Sequence, residues 1–350
     1  MLNKNFNHLS VALAANLEVN NKNFLYFGGT AYLGIPQHLG FKKLYAEGIQ
    51  RFGLNNGTSR NNNIQLGIYD DAERFAAEKY GAAAALITSS GYLAAQLSVR
   101  ELSKLGELRY APDCHPALWL NEKPETSGAF NLWAKNLVAE INQSKISHWV
   151  IISNSMNNLY PELYDFSPFE ELSPEKEVIL LVDDSHGIGV NYNGQGCFRF
   201  LPKAKNINLV VVASMAKALG LDAGLILASA QIIDKLKQTP TFMGASPPAA
   251  AGLYAFMNAD SIYQSALQKL ISLTHQLAIA LKNESSWSFI PDFPVFLSQQ
   301  KNLEERLLQK EILISSFAYP DKDGDLINRV ILCSWHQQHD VQQLINVVLK

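Results

Sequence analysis

Two apolar runs in the middle of the chain each end in reactive polar side chains. The first, VILLVDDSHG, leads into Asp183, Asp184 and His186, and the second, NLVVVASMAKALG, leads into Ser214 and Lys217. Short β-branched runs that are followed by polar residues and glycine are typical of buried parallel strands. Because ligands bind at the carboxyl edge of open α/β sheets, the pattern predicts such a sheet with a functional site at that edge.

Strand and helix patterns alternate along most of the chain. Further strands are predicted over AAALITSS, SHWVIISNS and GLILAS, and a helix follows the first of these over LAAQLSVRELSKL. This alternation predicts an α/β fold with a mostly parallel sheet that is covered by helices on both faces. The segment GLNNGTSRNNNIQLG is predicted to be an ordered loop near the site, because Asn and Gly favour turns.

The length of 350 residues is enough for two domains. After Pro247 and Pro248 a long apolar stretch at helical spacing leads into a strand, NRVILCSW, and an amphipathic helix, DVQQLINVVLK. We therefore predict an N-terminal arm over residues 1–40, a large domain over 41–252 and a smaller α+β domain over 253–350.

Composition excludes several classes of protein. A net charge of -3 provides no basic surface for nucleic acid. Three widely spaced cysteines without a CxxC motif indicate a reducing compartment with neither disulfides nor a zinc site. No apolar run approaches the roughly 20 residues of a membrane span, and the N-terminus has no signal-peptide pattern. The sequence therefore predicts a cytoplasmic protein without nucleic-acid or membrane partners.

An acid, an imidazole and a lone lysine at one sheet edge match the needs of pyridoxal 5'-phosphate (PLP) catalysis. Desolvation would lower the pKa of Lys217 so that it can form a Schiff base. Asp183 would keep the pyridine nitrogen protonated, and His186 could reach the phenolic oxygen. The alternatives are a solvated lysine, a capping or metal-binding aspartate pair and a structural histidine. Without histidine or cysteine ligands at metal spacing, we predict no metal site.

The phosphate of this cofactor needs free backbone amides at a helix N-terminus. The segment TSSGYLAAQ offers Ser90, Gly91 and Tyr92, and Ser214 could add a second hydroxyl. A Ser-Gly-Tyr motif after a strand is common in α/β proteins and has little specificity alone. His115 could stack on the pyridine ring, or it could be a turn histidine before a proline.

Together these motifs resemble the α-oxoamine synthases, a branch of the fold-type I PLP enzymes that includes 8-amino-7-oxononanoate synthase and glycine C-acetyltransferase. The family motifs V-D-E-A-H-G and T-L-S-K-A-L-G correspond to VDDSHG and SMAKALG. The motifs S-G-Y-x-A-N, D-x-x-x-H-A-S and S-M-D-G-D correspond to SGYLAAQ, DCHPAL and SMNNLYP. The resemblance extends from AYLGI to the last helix and implies a large PLP-binding domain with a smaller C-terminal one.

The resemblance implies a role for each matching residue. The implied catalytic residues are Lys217, His115, Asp183 and His186. The implied cofactor-binding residues are Ser90, Gly91, Tyr92, His115, Ser155, Asp183, His186, Ser214 and Lys217. The implied substrate-binding residues are Arg329, which would hold the substrate carboxylate, and Arg60.

Some family positions differ in this chain. Ala31 replaces an asparagine that contacts substrate, and Tyr69 replaces a histidine. Met243 and Gly244 replace the Ser-Thr pair that a neighbouring subunit sends to the phosphate, with Ser246 as a possible substitute. The cofactor positions are thus retained, while part of the substrate set is changed.

We therefore expect a PLP-dependent acyltransferase that condenses an amino acid with an acyl-CoA or another acyl thioester, as in biotin biosynthesis. The resemblance further implies a homodimer with the site at the subunit interface. An aminotransferase or amino-acid lyase of the same fold is the alternative, and the loss of asparagine at Ala31 favours it. A non-catalytic subunit is a third possibility, although such subunits usually lose the lysine.

Overall fold

The computed structural model describes residues 6–157, 159–318 and 326–349, and the chain divides into two compact units. The large unit comprises Gly40–Asn157 and Leu163–Asp260, and the small unit comprises Met1–Leu39, Asn158–Glu162 and Ser261–Lys350. The sequence had predicted a separate arm over 1–40 and a boundary at 252/253. Instead, residues up to 39 group with the C-terminal part, and the boundary follows Asp260.

The strands and helices of the described residues are numbered here in chain order. The strands are β1 (Asn16–Val19), β2 (Lys22–Phe27), β3 (Ala84–Thr88), β4 (Glu107–Tyr110), β5 (His148–Asn154), β6 (Met156–Asn157), β7 (Glu162–Leu163), β8 (Glu177–Asp183), β9 (Ile207–Ser214), β10 (Gly224–Ala228), β11 (Trp287–Phe289), β12 (Val295–Ser298), β13 (Ile312–Ala318) and β14 (Leu326–Ile331). The helices are α1 (Leu39–Phe52), α2 (Ile68–Tyr80), α3 (Gly91–Leu102), α4 (Phe130–Gln143), α5 (Ala230–Lys237), α6 (Pro240–Gly244), α7 (Ala250–Asn258), α8 (Asp260–Leu281), α9 (Leu303–Leu308) and α10 (Gln338–Val348).

The large unit contains a six-stranded sheet in the order β3-β10-β9-β8-β5-β4. Strands β4, β5, β8 and β9 are parallel, so the predicted mostly parallel sheet is confirmed. The predicted strand GLILAS is β10, but it runs antiparallel to both of its neighbours. Ser214 at the end of β9 lies opposite Gly224 at the start of β10, so only a short turn joins the two strands. A parallel neighbour would require a longer connection that contains a crossover helix.

Strand register sets the functional edge of this sheet. Asn154 at the end of β5 lies opposite Asp183 at the end of β8, and Asp183 lies opposite Val212 of β9. The central residues of β8 are buried, as expected of a strand that helices cover on both faces. The polar residues that follow β5, β8 and β9 therefore emerge side by side.

The small unit contains a second sheet in the order β1-β2-β13-β14-β12-β11. Strands β2 and β13 are parallel, with Leu25 opposite Ile312, and the other pairs are antiparallel. This pairing explains why the N-terminal residues belong to the small unit, whose α+β character is confirmed.

The long helical stretch predicted after Pro248 is two helices, α7 in the large unit and α8, which is almost entirely in the small unit. Within the described part of the chain, no helix is long and apolar enough to cross a membrane.

Candidate active site

Lys217 lies in the turn between β9 and β10. Two backbone hydrogen bonds close this turn, from the Met215 amide to Ala223 O (2.9 Å) and from the Leu221 amide to Met215 O (3.2 Å). The lysine side chain is half-buried, and burial lowers its pKa, while the charge of Asp183 opposes that shift. The structure therefore places a lysine with a lowered pKa at the carboxyl edge of the sheet, as the sequence predicted.

Asp183 ends β8, and its Oδ1 accepts a hydrogen bond from the Ser185 amide at 2.8 Å. Its charge opposes the effect of burial on Lys217 and on His115, because a nearby negative charge raises the pKa of a basic group. These three side chains, Asp183, Lys217 and His115, are called the Lys217 cluster below. His186 lies three residues after Asp183, half-buried in the turn that follows β8.

His115 is held by one hydrogen bond to its ring and one from its backbone amide. Its Nδ1 accepts a hydrogen bond from the Ala117 amide at 3.2 Å, and its own amide donates to Asn154 Oδ1 at 3.1 Å. Burial and the charge of Lys217 lower the pKa of His115 against the effect of Asp183. An Nδ1 that accepts assigns the neutral tautomer with its proton on Nε2. The imidazole can therefore donate a hydrogen bond from Nε2.

Asn154 is a site residue that sequence reasoning missed. Besides accepting from His115, its Nδ2 donates to Asp113 O at 2.7 Å, so the amide fixes both sides of the His115 loop. The available signal was the polar tip of the predicted strand SHWVIISNS.

The predicted phosphate site lies at the N-terminus of α3. Ser90 Oγ caps this helix by accepting from the Leu93 amide at 3.1 Å, and helix geometry leaves the first amides, of Gly91 and Tyr92, without intrahelical acceptors. A Cβ on Gly91 would lie 2.5 Å from Ser214 Cβ, so only glycine permits this approach. Ser214 is held by its amide, which donates to Ser185 Oγ at 2.8 Å. Backbone amides and hydroxyls thus converge as a phosphate requires.

The contact of Ser155 with the cofactor ring stays a prediction. Ser155 is buried next to Asp184, whose Oδ2 accepts from the Cys197 amide at 2.8 Å. Burial raises the pKa of Asp184 to about 6, and the Ser155 hydroxyl partly offsets that rise. Asn154, the last residue of β5, reaches the His115 loop, whereas Ser155 follows the strand and lies near Asp184.

Arg60 lies in an ion-pair network that is largely buried. Its Nη1 lies 2.8 Å from Glu73 Oε1, its Nη2 lies 3.1 Å from Asp70 Oδ1, and its guanidinium packs over the Tyr69 ring. Glu73 also pairs with Lys237 at 2.9 Å. These carboxylates offset the charge of Arg60, and its contact with substrate stays a prediction.

The changed family positions of the large unit have structural contacts of their own. Tyr69 donates its hydroxyl proton to Pro248 O at 3.0 Å. Ser246 lines a groove of about 360 Å³ with Tyr69 and the asparagine-rich loop. A Cβ on Gly244 would meet no atom within 4 Å.

Arg329 lies on β14 in the small unit and is only 4% exposed. Its Nε and Nη2 have no hydrogen-bond partner within the described residues. Burial lowers the pKa of this guanidinium, and Tyr32 is the neighbour that opposes the shift. A buried arginine with free donors fits the predicted carboxylate site. Among the described side chains, no group of three or more His, Cys, Asp or Glu could hold a metal ion.

Comparison with known proteins gives the same family as the motifs. The model of the family "Aminotransferase class I and II" matches residues 124–348. An 8-amino-7-oxononanoate synthase of Geotalea daltonii is 26% identical over 339 residues, covering 91% of this chain and 86% of that protein.

Two solved structures share the fold at low sequence identity. A lysine-to-alanine variant of serine palmitoyltransferase from S. paucimobilis, with a bound PLP–myriocin aldimine, has a TM-score of 0.81 at 14% identity and covers 97% of this chain and 90% of that one. An 8-amino-7-oxononanoate synthase from Francisella tularensis has a TM-score of 0.70 at 18% identity and covers 93% of this chain and 96% of that one.

The family match spans more than half of the chain and confirms the recognition from motifs, the fold-type I architecture and the PLP cofactor. The Lys217 cluster and the α3 N-terminus fit that cofactor chemically, with an amine for its aldehyde and amides for its phosphate. The chain therefore belongs to the aminotransferase class I and II family, as a PLP-dependent transferase with the fold of the α-oxoamine synthases.

Proposed function

We propose that the protein is an α-oxoamine synthase that condenses an amino acid with an acyl thioester. The observation that carries the proposal is that Asp183, Lys217 and the His115 loop lie at the ends of adjacent strands of one sheet, where burial also lowers the pKa of Lys217. Similarity to an 8-amino-7-oxononanoate synthase over 91% of the chain also supports the proposal. That relative's name suggests a role in biotin biosynthesis, which belongs to the same proposal.

Bound PLP supplies an aldehyde that takes the amino group and a ring that withdraws electrons. Lys217 would provide the amine that holds this aldehyde at rest and the base that accepts the α-proton of the amino acid. Asp183 would keep the ring nitrogen protonated. The amides of Gly91 and Tyr92 and the hydroxyl of Ser214 would hold the phosphate.

The acyl transfer would use His115 and Arg329. His115, with its proton on Nε2, donates to the thioester carbonyl oxygen as the substrate α-carbon attacks the carbonyl carbon. The carbon–sulfur bond breaks, and the thiolate leaves and takes up a proton. The family resemblance assigns the substrate carboxylate to Arg329, and the free donors of its guanidinium suit that role.

We also infer that the protein acts in the cytoplasm as a homodimer whose site lies at the subunit interface. The family resemblance supports this assembly, and so do the large side chains that the asparagine-rich loop exposes, Leu54 (76%) and Ile64 (78%). Sedimentation of the PLP-loaded protein should give a dimer, and a monomer with full cofactor occupancy would contradict the inference.

The decisive experiment is a screen of amino acids against acyl-CoA thioesters of graded chain length, with free thiol as the readout. We expect thiol release with at least one pair, and its loss in Lys217→Ala. The matched control is Lys235→Ala, which removes an exposed lysine of α5 and should leave the rate unchanged.

The same screen separates the alternatives. Transfer of the amino group to a keto acid without thiol release would replace the proposal with an aminotransferase. Turnover of the amino acid alone would indicate a lyase. Protein without the PLP absorbance, and without a borohydride adduct at Lys217, would contradict the whole mechanism.

A further inference from the structure

The large unit contains a cavity whose lining includes none of the three residues of the Lys217 cluster. Its volume is about 300 Å³, at the lower end of the range for small-molecule sites. It is lined by the residue that follows β5, by the segment after β7 and by residues between β8 and β9. This cavity, called the Tyr192 pocket below, is formed in part by Ser155, Asp165, Glu170, Tyr192 and Phe200.

Two carboxylates line the Tyr192 pocket. Asp165 Oδ1 accepts a hydrogen bond from the Ser167 amide at 2.9 Å, and this contact holds the pKa of Asp165 below its ordinary value. Glu170 lies one turn further along the same segment. Among the described residues that line the pocket, none is lysine, arginine or histidine. The pocket is therefore acidic.

The basic residues around the pocket do not neutralise it from within. Arg199 precedes Phe200, but its Nη2 donates to Glu78 O at 3.0 Å and its guanidinium lies against Gly81. Lys135 of α4 helps to lower the pKa of Asp165, and it is exposed and outside the lining. The site is thus left open to a positively charged ligand.

Two stacked aromatic rings belong to the same lining. The rings of Tyr192 and Phe200 are 4.1 Å apart with 15° between their planes, and the residues remain 39% and 55% exposed. Aromatic rings attract organic cations. Tyr192 has a φ of 53°, a conformation that bulky residues rarely adopt, so the fold holds this ring in place against a backbone cost.

The lining also contains a buried hydroxyl without a partner. Ser155 is 5% exposed, and its Oγ has no hydrogen-bond partner among the described residues. The nearby Asp184 is buried too, and its Oδ1 is likewise unpartnered. Because buried polar atoms without partners are costly, these two oxygens favour a ligand that carries positive charge or donates a hydrogen bond. The resemblance assigns Ser155 to the cofactor ring, but the residue lines the Tyr192 pocket.

We propose that the Tyr192 pocket binds a small organic ammonium ion. The rings of Tyr192 and Phe200 and the carboxylates of Asp165 and Glu170 surround the cation, and the Ser155 hydroxyl accepts a hydrogen bond from a ligand that can donate one. A metal ion is a poorer match, since no group of three or more His, Cys, Asp or Glu among the described side chains could hold one. The inference goes beyond the proposed function and needs no acyl transfer.

The test measures binding of choline to the PLP-loaded protein by isothermal titration calorimetry. Choline has a quaternary nitrogen, so it cannot form an imine with the cofactor. Its uncharged analogue of the same shape, 3,3-dimethylbutan-1-ol, is the ligand control. We expect saturable binding of choline with a dissociation constant of about 1 mM or below and about tenfold weaker binding of the analogue. Calcium should not displace choline.

Variants with matched controls locate the site. Phe200→Leu keeps an apolar side chain without the ring and should raise the dissociation constant of choline about fivefold. Tyr192→Asn removes the other ring with a residue that tolerates positive φ and should act in the same direction. Its control is Asn193→Gly, which changes the next residue of the loop, with a φ of 56°, and should leave the affinity unchanged. Glu170→Gln should raise the dissociation constant about threefold, whereas Glu171→Gln, outside the lining, should not.

Four results would overturn the proposal. One is the absence of saturable choline binding. Equal affinity for choline and its uncharged analogue would replace recognition of a cation with an apolar contact. Unchanged affinity in Phe200→Leu would remove the aromatic rings from the site, and this variant decides if Tyr192→Asn does not fold. Displacement of choline by calcium would reduce the site to an acidic surface. None of these readouts uses thiol release, so failure of the proposed function is seen separately.

Discussion

Replacing Gly91 with alanine should damage the phosphate site in a way that the structure makes calculable. The new Cβ would lie 2.5 Å from Ser214 Cβ and 2.6 Å from Ser214 Cα. Ordinary carbon contacts are about 3.5–4.0 Å, so the two chain segments must separate by about 1 Å. Since one of the clashing atoms is a backbone Cα, a side-chain rotation of Ser214 cannot relieve the contact.

The expected effect has two parts. Overpacking of this kind costs about 1–3 kcal/mol of folding stability. Moving Ser214 away from the α3 N-terminus also weakens its hydrogen bond to a charged phosphate, which is worth about 1.5 kcal/mol or more. We therefore expect the dissociation constant of PLP to rise about tenfold or more in Gly91→Ala.

The assay titrates PLP into cofactor-free protein and follows the absorbance, with thermal unfolding measured in parallel. Gly67→Ala is the matched control, because its new Cβ would meet no atom within 4 Å and its φ of -64° suits alanine. The reasoning is refuted if the dissociation constant of PLP in Gly91→Ala stays within twofold of wild type and the melting temperature equals that of Gly67→Ala. The close approach of Ser214 would then have no role in the site.

Two further predictions concern stability. Glu73→Ala leaves the buried Arg60 without its main partner and should cost about 3–5 kcal/mol in chemical unfolding, whereas Arg74→Ala, at an exposed pair, should cost under about 1 kcal/mol. Burial lowers the pKa of His336 from 6.5 to about 4, so the contribution of this residue to stability should be fully present above pH 6.5 and fall by about 3 kcal/mol as the pH falls to 4. The raised pKa of Asp184 acts in the opposite direction over the same range. The stability of wild type minus that of His336→Gln should therefore fall by about 3 kcal/mol between pH 6.5 and 4, and a difference that does not change with pH would contradict the prediction.

The sequence by itself determined the central sheet and the residues at its edge. The runs before Asp183 and Lys217 are short and β-branched, and the structure has them as neighbouring parallel strands, β8 and β9. Adjacent parallel strands end at the same edge, so the local pattern is enough to bring the two side chains together. The start of α3 at Gly91 can also be predicted from neighbouring residues, because Ser90 directly before it is a favourable helix cap.

Partners that are distant in sequence were decided only by the fold. Arg60 meets Glu73, and Glu73 meets Lys237 from far along the chain, so a motif could not reveal that the arginine was already paired. The N-terminal segment pairs through β2 with β13, which places it in the small unit. Pairing across such separations depends on the whole topology and leaves no periodic signal in the sequence.

Asn154 and Ser155 show the same limit at the scale of one residue. The sequence places a polar tip at the end of β5, but side chains of a strand alternate between faces. Which of two adjacent polar residues reaches His115 therefore depends on where pairing with β8 stops, and the structure stops it with Asn154 opposite Asp183. Sequence determined the chemistry available at this edge, and tertiary register decided which side chains share a face, because register is set by neighbouring strands.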